Sequence, residues 1–235
     1  LAAGLVDRLD SAEVLAFGPT AAAARIESSK RFAKELMQEH GVPTASMMSF
    51  TDFETASKYV MAQETPMVVK ADGLLAGKGV VVASDHEEAV RALREWLRQC
   101  DSGVLVEEFM AGQEVSVFAF VDGERVSSMI SACDYKPVCD GNIGPNTGGM
   151  GSYSPPVAAV WNADMESRIR REIMEPVVAA LASKGSPFRG ILYAGLMLTV
   201  DGPKVVEFNC RLGDPEAQVV LPRLKSDLLG VLICV

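Results

Sequence analysis

Three clusters of side chains have the types and spacing that binding a nucleotide and moving its phosphate would need. The first is Lys70, at the end of the apolar run 66–71, followed by Gly73, Gly77, Lys78 and Gly79. Glycines let backbone N–H groups come close to phosphate oxygens, and a lysine on a strand end fixes a positive charge beside them. The stretch is not a P-loop, because Gly79 rather than Ser or Thr follows Lys78 and a strand comes next. The second cluster is Glu207, Asn209 and Arg211. Residues two apart on a strand share a face, so these three stand together while Phe208, Cys210 and Leu212 turn toward a core. A carboxylate and an amide oxygen suit Mg²⁺, which completes its octahedron with water and phosphate. An adjacent arginine suits a γ-phosphate, and Asp214 and Glu216 add acids at the same end. The third cluster closes an apolar strand with Glu107, Glu108 and Phe109, with Glu114 beyond. There a planar base could be framed and ribose hydroxyls held by carboxylates.

A fourth feature is the loop 144–153, dense in Gly, Asn and Pro, which could wrap a small anion with backbone N–H groups. Taken singly, each feature also fits an ordinary turn, a solvated strand end or a surface loop. His40 and His86 fall at a helix end and a helix start, away from these features, and no nucleophile–base motif is present. The chemistry therefore rests on acids, lysines, arginine and backbone.

The elements that must position these groups alternate. A helix and a short strand at 14–17 precede a helix at 22–40, which Gly41 and Pro43 close. Strands are expected at 47–50, 66–71, 80–83 and 104–108. Helices start at the capping boxes Thr51 to Glu54 and Ser84 to Glu87. Asp-Gly pairs at 122–123 and 201–202 mark two hairpins, 114–121 with 126–132 and 191–200 with 204–210. Residues 134–156 read as loop. A helix at 163–183 is kinked or split by Pro176, and a helical tail starts near Pro215. Hairpins among helices indicate an α/β (α+β) fold with mixed or antiparallel sheets rather than a pure Rossmann domain.

Composition narrows the partners. With 49% hydrophobic and 23% charged residues the chain can bury a core. A net charge of −9 disfavours nucleic acid, which an acidic surface repels. No apolar run is long enough for a membrane span. Five cysteines with no Cys-x-x-Cys pair point to a reducing, cytoplasmic setting. The chain starts at Leu1 rather than Met and ends on the apolar stretch 228–235, so both ends are expected to be cuts in a longer protein.

In order and type these features resemble the ATP-grasp superfamily, and within it the phosphoribosylamine–glycine ligase family. The matching segments are 17–20, 70–79, 144–153, 192–197 and 207–216. The resemblance implies an ATP-grasp fold of two sheet subdomains, with residues 1–19 ending a Rossmann-like domain and residues 20–235 forming the ATP-grasp domain. Its small lid would cover about 67–108, and a C-terminal domain would follow. It implies ATP and Mg²⁺ (or Mn²⁺) as cofactors, with glycine and 5-phosphoribosylamine as substrates. Lys30 and Lys70 would meet ATP phosphates under a loop containing Gly73, Gly77, Lys78 and Gly79. Glu107, Glu108 and Phe109 would form the adenine hinge, Glu114 would hold the ribose, and Glu207 and Asn209 would bind the metal. Arg211 would face the transferred phosphate and Asp214 would position substrate. Asp134 and Lys136, with Asn146, Thr147, Gly148, Gly149, Met150 and Gly151, would hold the acceptor or glycine. The family pattern Asp-His-Lys-Arg is here Asp134-Tyr135-Lys136-Pro137, so one His and one Arg are absent.

Overall fold

The computed structural model describes residues 1–73, 79–141, 143–157 and 161–235. Its buried apolar residues fall into two main clusters with no common member, each belonging to one sheet. The chain opens with α1 (Leu5–Ser11). The strand expected at 14–17 is not formed: that stretch has no ladder partner, and Leu15 is 96% exposed. The single helix expected at 22–40 is two, α2 (Arg25–Ser28) and α3 (Lys30–Glu39). Ser29 breaks it, with an extended backbone and a hydroxyl that accepts from Phe32 N at 3.2 Å. A serine there can cap a restarted helix, which local propensity alone does not reveal.

The smaller sheet contains β1 (Met47–Phe50), β2 (Met67–Ala71), β3 (Val80–Ala83) and β4 (Val104–Glu108), antiparallel throughout in the order β1-β4-β2-β3. Helices α4 (Phe53–Met61) and α5 (His86–Gln99) pack on one face of it. On α5, Ala89, Ala92, Leu93 and Trp96 are buried at helical spacing against Val69 and Val106. Truncating Leu93 to Ala would cost about 2–5 kcal/mol. Both helix starts lie one residue beyond the expected caps. Asp52 accepts from Thr55 N at 2.9 Å and Asp85 from Glu88 N at 2.8 Å. It is Glu88, not Glu87, that reaches back to Ser84 N.

The larger sheet is built from β5 (Gln113–Asp122), β6 (Ile130–Asp134), β9 (Ser152–Tyr153), β10 (Arg189–Thr199) and β11 (Gly202–Asn209), while β7 (Pro137–Cys139) and β8 (Ile143–Asn146) pair as a separate small hairpin. The five-stranded order is β11-β10-β5-β6-β9. The strand expected at 126–132 forms later. Val126 makes an isolated bridge to Val121, and the ladder resumes at Ile130. The region 134–156, expected as loop, pairs through β7, β8 and β9. The helical segment at 163–183 is α6 (Ala163–Ile169), a π-turn over Arg170–Met174, and α7 (Glu175–Ser183). Pro176 has no N–H to give Glu172, and the wider turn just before it absorbs that loss. The tail carries α8 (Ala217–Val220) and α9 (Leu228–Cys234).

Alternation sorts the larger sheet. Val115, Val117, Leu192, Ala194, Leu196 and Phe208 turn into the core against α2, α3, α6 and α7. Glu114, Ser116, Tyr193, Glu207 and Asn209 are on the opposite face, and the register pairs Tyr193 with Asn209 and Gly195 with Glu207. The smaller sheet likewise shows Val68, Lys70, Val80, Val82, Leu105 and Glu107 on the face away from α4 and α5.

Candidate active site

Between the sheets lies a buried ion triad. Glu107 Oε2, on β4, is 2.9 Å from both Lys34 Nζ on α3 and Lys70 Nζ on β2. The three side chains are at most 5% exposed. Glu107 Oε1 is buried with no hydrogen-bond partner. A buried carboxylate with one filled oxygen and one empty one is costly unless a donor arrives. Burial pulls the Lys34 pKa down to about 8, against the opposing pull of Glu107. Lys34 also donates to Thr44 Oγ1 at 2.8 Å. It was not among the sequence candidates, because nothing in a helical Lys-Glu-Leu segment signals a buried ammonium.

A break in the ladder positions Lys70. Between Gly195 and Leu196 the β10–β11 register shifts, leaving Val206 as the extra residue. Its carbonyl is where Lys70 Nζ donates, at 3.2 Å. Lys70 thereby bridges the two sheets. Lys30, the first residue of α3, donates to Gly73 O at 2.8 Å. Its pKa is lowered by burial, which outweighs the attraction of Glu207. Asp72 accepts from Arg31 N at 3.3 Å and Ser29 Oγ at 3.4 Å, so the start of the glycine loop is fixed to the start of α3. At its far end Gly79 O accepts from Ala71 N at 2.8 Å. Gly77 and Lys78 lie outside the described residues.

Lys30, Lys34, Lys70, Glu107 and Glu207 line one pocket. On the same face as Glu107, across Val68 and Lys70 of β2, Val80 and Val82 are 38% and 46% exposed, an apolar wall suited to a planar ring. Glu108 points the other way, accepting from Ser46 Oγ at 3.0 Å with Lys204 3.7 Å away, and Phe109 is exposed.

The β11 end is held by a residue that sequence reasoning missed. Glu27 accepts from Arg211 Nε at 3.1 Å and from Cys210 N at 2.9 Å. Arg211 Nη2 donates to Asn209 Oδ1 at 3.2 Å, so guanidinium and amide are preset side by side. Glu207 is exposed on the same face. Asp214 accepts from Gln218 at 2.8 Å and is exposed. Behind it, buried Glu216 accepts from Tyr193 Oη at 2.9 Å and Ser116 Oγ at 3.2 Å, pinning the 213–216 turn onto β5 and β10. Burial against Glu216 raises the Tyr193 pKa, so the phenol stays a donor.

The glycine loop docks on that turn. Gly149 has φ 106°, and a Cβ there would come within 2.5 Å of Pro215 Cδ. Ser152 Oγ donates to Pro215 O at 2.9 Å. Thr147 Oγ1 donates to Lys136 O at 2.8 Å and accepts from Gly149 N at 3.1 Å. Asn146 joins through backbone pairing with Pro137, Gly148 is exposed, and Met150 N and Gly151 O bond the Tyr135 backbone. Lys136 contacts Glu114 and lies 3.8 Å from Asp134. Burial raises the Asp134 pKa, partly offset by Lys136.

Two α+β lobes with antiparallel sheets, meeting across a lysine-lined cleft, place the chain in the ATP-grasp class. The D-alanine–D-alanine ligase of Bacillus anthracis matches 98% of the chain and 74% of its own with a TM-score of 0.70, a likeness of fold alone at 20% identity. Within that class, the chain belongs to the phosphoribosylglycinamide synthetase ATP-grasp (A) domain family, whose model matches residues 28–217. A crystal structure of phosphoribosylamine–glycine ligase from Thermotoga maritima is 36% identical, with a TM-score of 0.80 over 88% of this chain and 53% of that one. Phosphoribosylamine–glycine ligase of Halalkalibacterium halodurans is 51% identical over 99% of this chain. The human trifunctional purine biosynthetic protein adenosine-3 is 50% identical over 99% of the chain and 23% of its own length. The chain spans 55% of the length of the Halalkalibacterium relative.

Proposed function

We propose that this protein joins glycine to 5-phosphoribosylamine with ATP, forming glycinamide ribonucleotide, ADP and phosphate through a glycyl phosphate in de novo purine biosynthesis. Family membership and the names of the relatives support the acid and the amine. The observation that carries the nucleotide half is the orphaned Glu107 Oε1, on the same sheet face as the exposed Val80–Val82 wall. The exocyclic amine of adenine is a donor of the kind that oxygen needs, and the wall would cover the ring. On this reading the backbone of 107–109 completes the adenine contacts and Glu114 takes the ribose hydroxyls. Lys30 and Lys70 face the phosphates, and the 73–79 loop covers them.

Glu207 and Asn209 fit Mg²⁺ or Mn²⁺ by donor type, since one carboxylate and one amide oxygen leave room for phosphate and water. Among the described residues no group of three or more His, Cys, Asp or Glu is placed to hold a metal ion. When bound, the ion would neutralise charge on the phosphate oxygens. Arg211, steadied by Glu27, would face the phosphoryl group in transfer. A carboxylate oxygen of glycine attacks the γ-phosphorus and ADP leaves. The amine of phosphoribosylamine then attacks the carbonyl carbon, and phosphate departs with one former carboxylate oxygen. The chain's contribution is positioning and charge, with no covalent intermediate on the protein. Asp134, Lys136 and residues 146–151 would hold the acceptor beside Asp214.

Five free cysteines support a reducing, cytoplasmic setting. No helix among the described residues is long and apolar enough to cross a membrane. Measuring ADP release by the full-length protein with glycine plus phosphoribosylamine, against other acid–amine pairs, tests the proposal. Release only when both named substrates are present is expected. Release with another pair alone would reassign the substrates, and Mg-ATP binding without any turnover would sink the ligase reading.

A further inference from the structure

One side chain joins the acid proposed for the ribose to the loop proposed for the acceptor. Lys136 Nζ contacts Glu114 Oε1 on β5 and lies 3.8 Å from Asp134 Oδ2. The backbone of the same residue is part of the scaffold of the glycine loop. Its carbonyl accepts from Thr147 N at 2.7 Å and Thr147 Oγ1 at 2.8 Å. Next to it, Tyr135 N donates to Gly151 O at 2.9 Å and Tyr135 O accepts from Met150 N at 3.0 Å. The loop is thus held by the main chain of 135–136, which leaves the Lys136 ammonium free to change partners without dismantling it.

The pair is not sealed from solvent. The Lys136 and Glu114 side chains are 29% and 33% exposed, so their contact is partly solvated and modest in strength. Burial would lower the Lys136 pKa, but Glu114, Asp134 and Glu207 outweigh it and hold it up, so the group stays charged at neutral pH. Ribose hydroxyls donating to Glu114 would occupy lone pairs that the ammonium now uses. A phosphate-bearing acceptor in the 146–151 loop would offer that ammonium a second anion.

We propose that Lys136 couples the two halves of the site: its ammonium passes from Glu114 to the acceptor's phosphate as the ribose takes Glu114, so nucleotide and acceptor each tighten the other's binding. This rests on the proposed function, which gives Glu114 to the ribose and the loop to the acceptor. Linkage makes the effect reciprocal, with one factor for both ligands. An ion pair this exposed sets that factor at about two- to fivefold.

The test is calorimetric, on the full-length protein, with a non-hydrolysable ATP analogue and Mg²⁺ as one probe and ribose 5-phosphate as the other. Each is titrated alone and in the presence of the other. In the wild type, each ligand should lower the dissociation constant of the other by the same factor of about two to five. In Lys136→Met the factor should fall to about one, and the ATP analogue alone should bind as tightly as, or tighter than, it binds the wild type. Glu114→Gln should tighten ribose 5-phosphate binding in the absence of nucleotide, because the ammonium is no longer tied down; a merely structural contact would weaken it. Independent binding of the two ligands to the wild type overturns the coupling and leaves the proposed function standing. So does wild-type coupling that survives in Lys136→Met, or weaker ribose 5-phosphate binding in Glu114→Gln. Failure of ribose 5-phosphate to bind the wild type overturns the coupling alone, and failure of the ATP analogue to bind overturns both readings.

Discussion

Replacing Glu107 with Gln removes the one negative charge between two buried ammoniums. Glu107 touches Lys34 and Lys70 at 2.9 Å each, and none of the three is more than 5% exposed. Breaking a buried pair by removing one partner costs about 3–5 kcal/mol, because the remaining charge is stranded. In a chain of this length, each kcal/mol shifts the melting temperature by about 2–4 °C, so Glu107→Gln should melt about 10 °C lower. The loss has a ceiling. Lys34 already sits at about 8 with Glu107 present; without it the pKa falls further and the amine sheds its proton. The penalty should therefore shrink as pH rises from about 6 toward 8 and level off above that. Adding Lys34→Met removes one stranded ammonium and should recover about 1–3 kcal/mol, a coupling of the size seen for residues in direct contact. Urea unfolding of the four proteins of this cycle at pH 6, 7 and 9 provides the free energies, and thermal melts at pH 7 the shift in melting temperature. A Glu107→Gln loss under 1 kcal/mol at pH 6, or strict additivity of the two substitutions, would refute the triad as an interacting unit.

Lys34→Met alone carries a second pH signature. Lys34 titrates at about 8 folded against an ordinary 10.5, so between those values the unfolded chain binds the extra proton and stability rises with pH. The rise attributable to Lys34 is about 3 kcal/mol; urea unfolding from pH 7.5 to 10.5 should show it in the wild type and not in the variant. Gly149→Ala places a Cβ 2.5 Å from Pro215 Cδ at φ 106°, a strain of about 1–3 kcal/mol. Steady-state kinetics should show a raised KM for the proposed phosphoribosylamine substrate with nucleotide affinity unchanged. Tyr193→Phe takes one of two hydroxyl donors from buried Glu216 and should cost about 1–3 kcal/mol in urea unfolding, with a smaller loss in Ser116→Ala, whose contact is longer.

Much of the frame was legible because local patterns and tertiary outcome agree. The apolar runs ending at Lys70 and Glu108 became β2 and β4, and Asp201-Gly202 turned the β10–β11 hairpin. The alternation around Glu207 sent Phe208 and Cys210 to the core as expected. What was not legible depends on partners distant in sequence. Lys34, Lys70 and Glu107 come from one helix and two strands, so no local spacing marks the triad. Val206 reads as an ordinary strand residue, yet a register shift leaves its carbonyl for Lys70. Ser29 breaks a good helical pattern because a cap and Asp72 compensate the interruption. The segment 134–156 has too many glycines and prolines to show alternation, yet the docking of Gly149 and Ser152 on the 213–216 turn orders part of it.

The most direct test of the central claim follows one oxygen atom. Glycine labelled with ¹⁸O in both carboxylate positions is turned over by the full-length protein with ATP and phosphoribosylamine, and the released phosphate is weighed by mass spectrometry. Attack of the carboxylate on the γ-phosphorus and displacement by the amine predict one ¹⁸O in every phosphate. Unlabelled phosphate released in step with ADP would mean that water, not glycine, accepts the phosphoryl group, and would contradict the account.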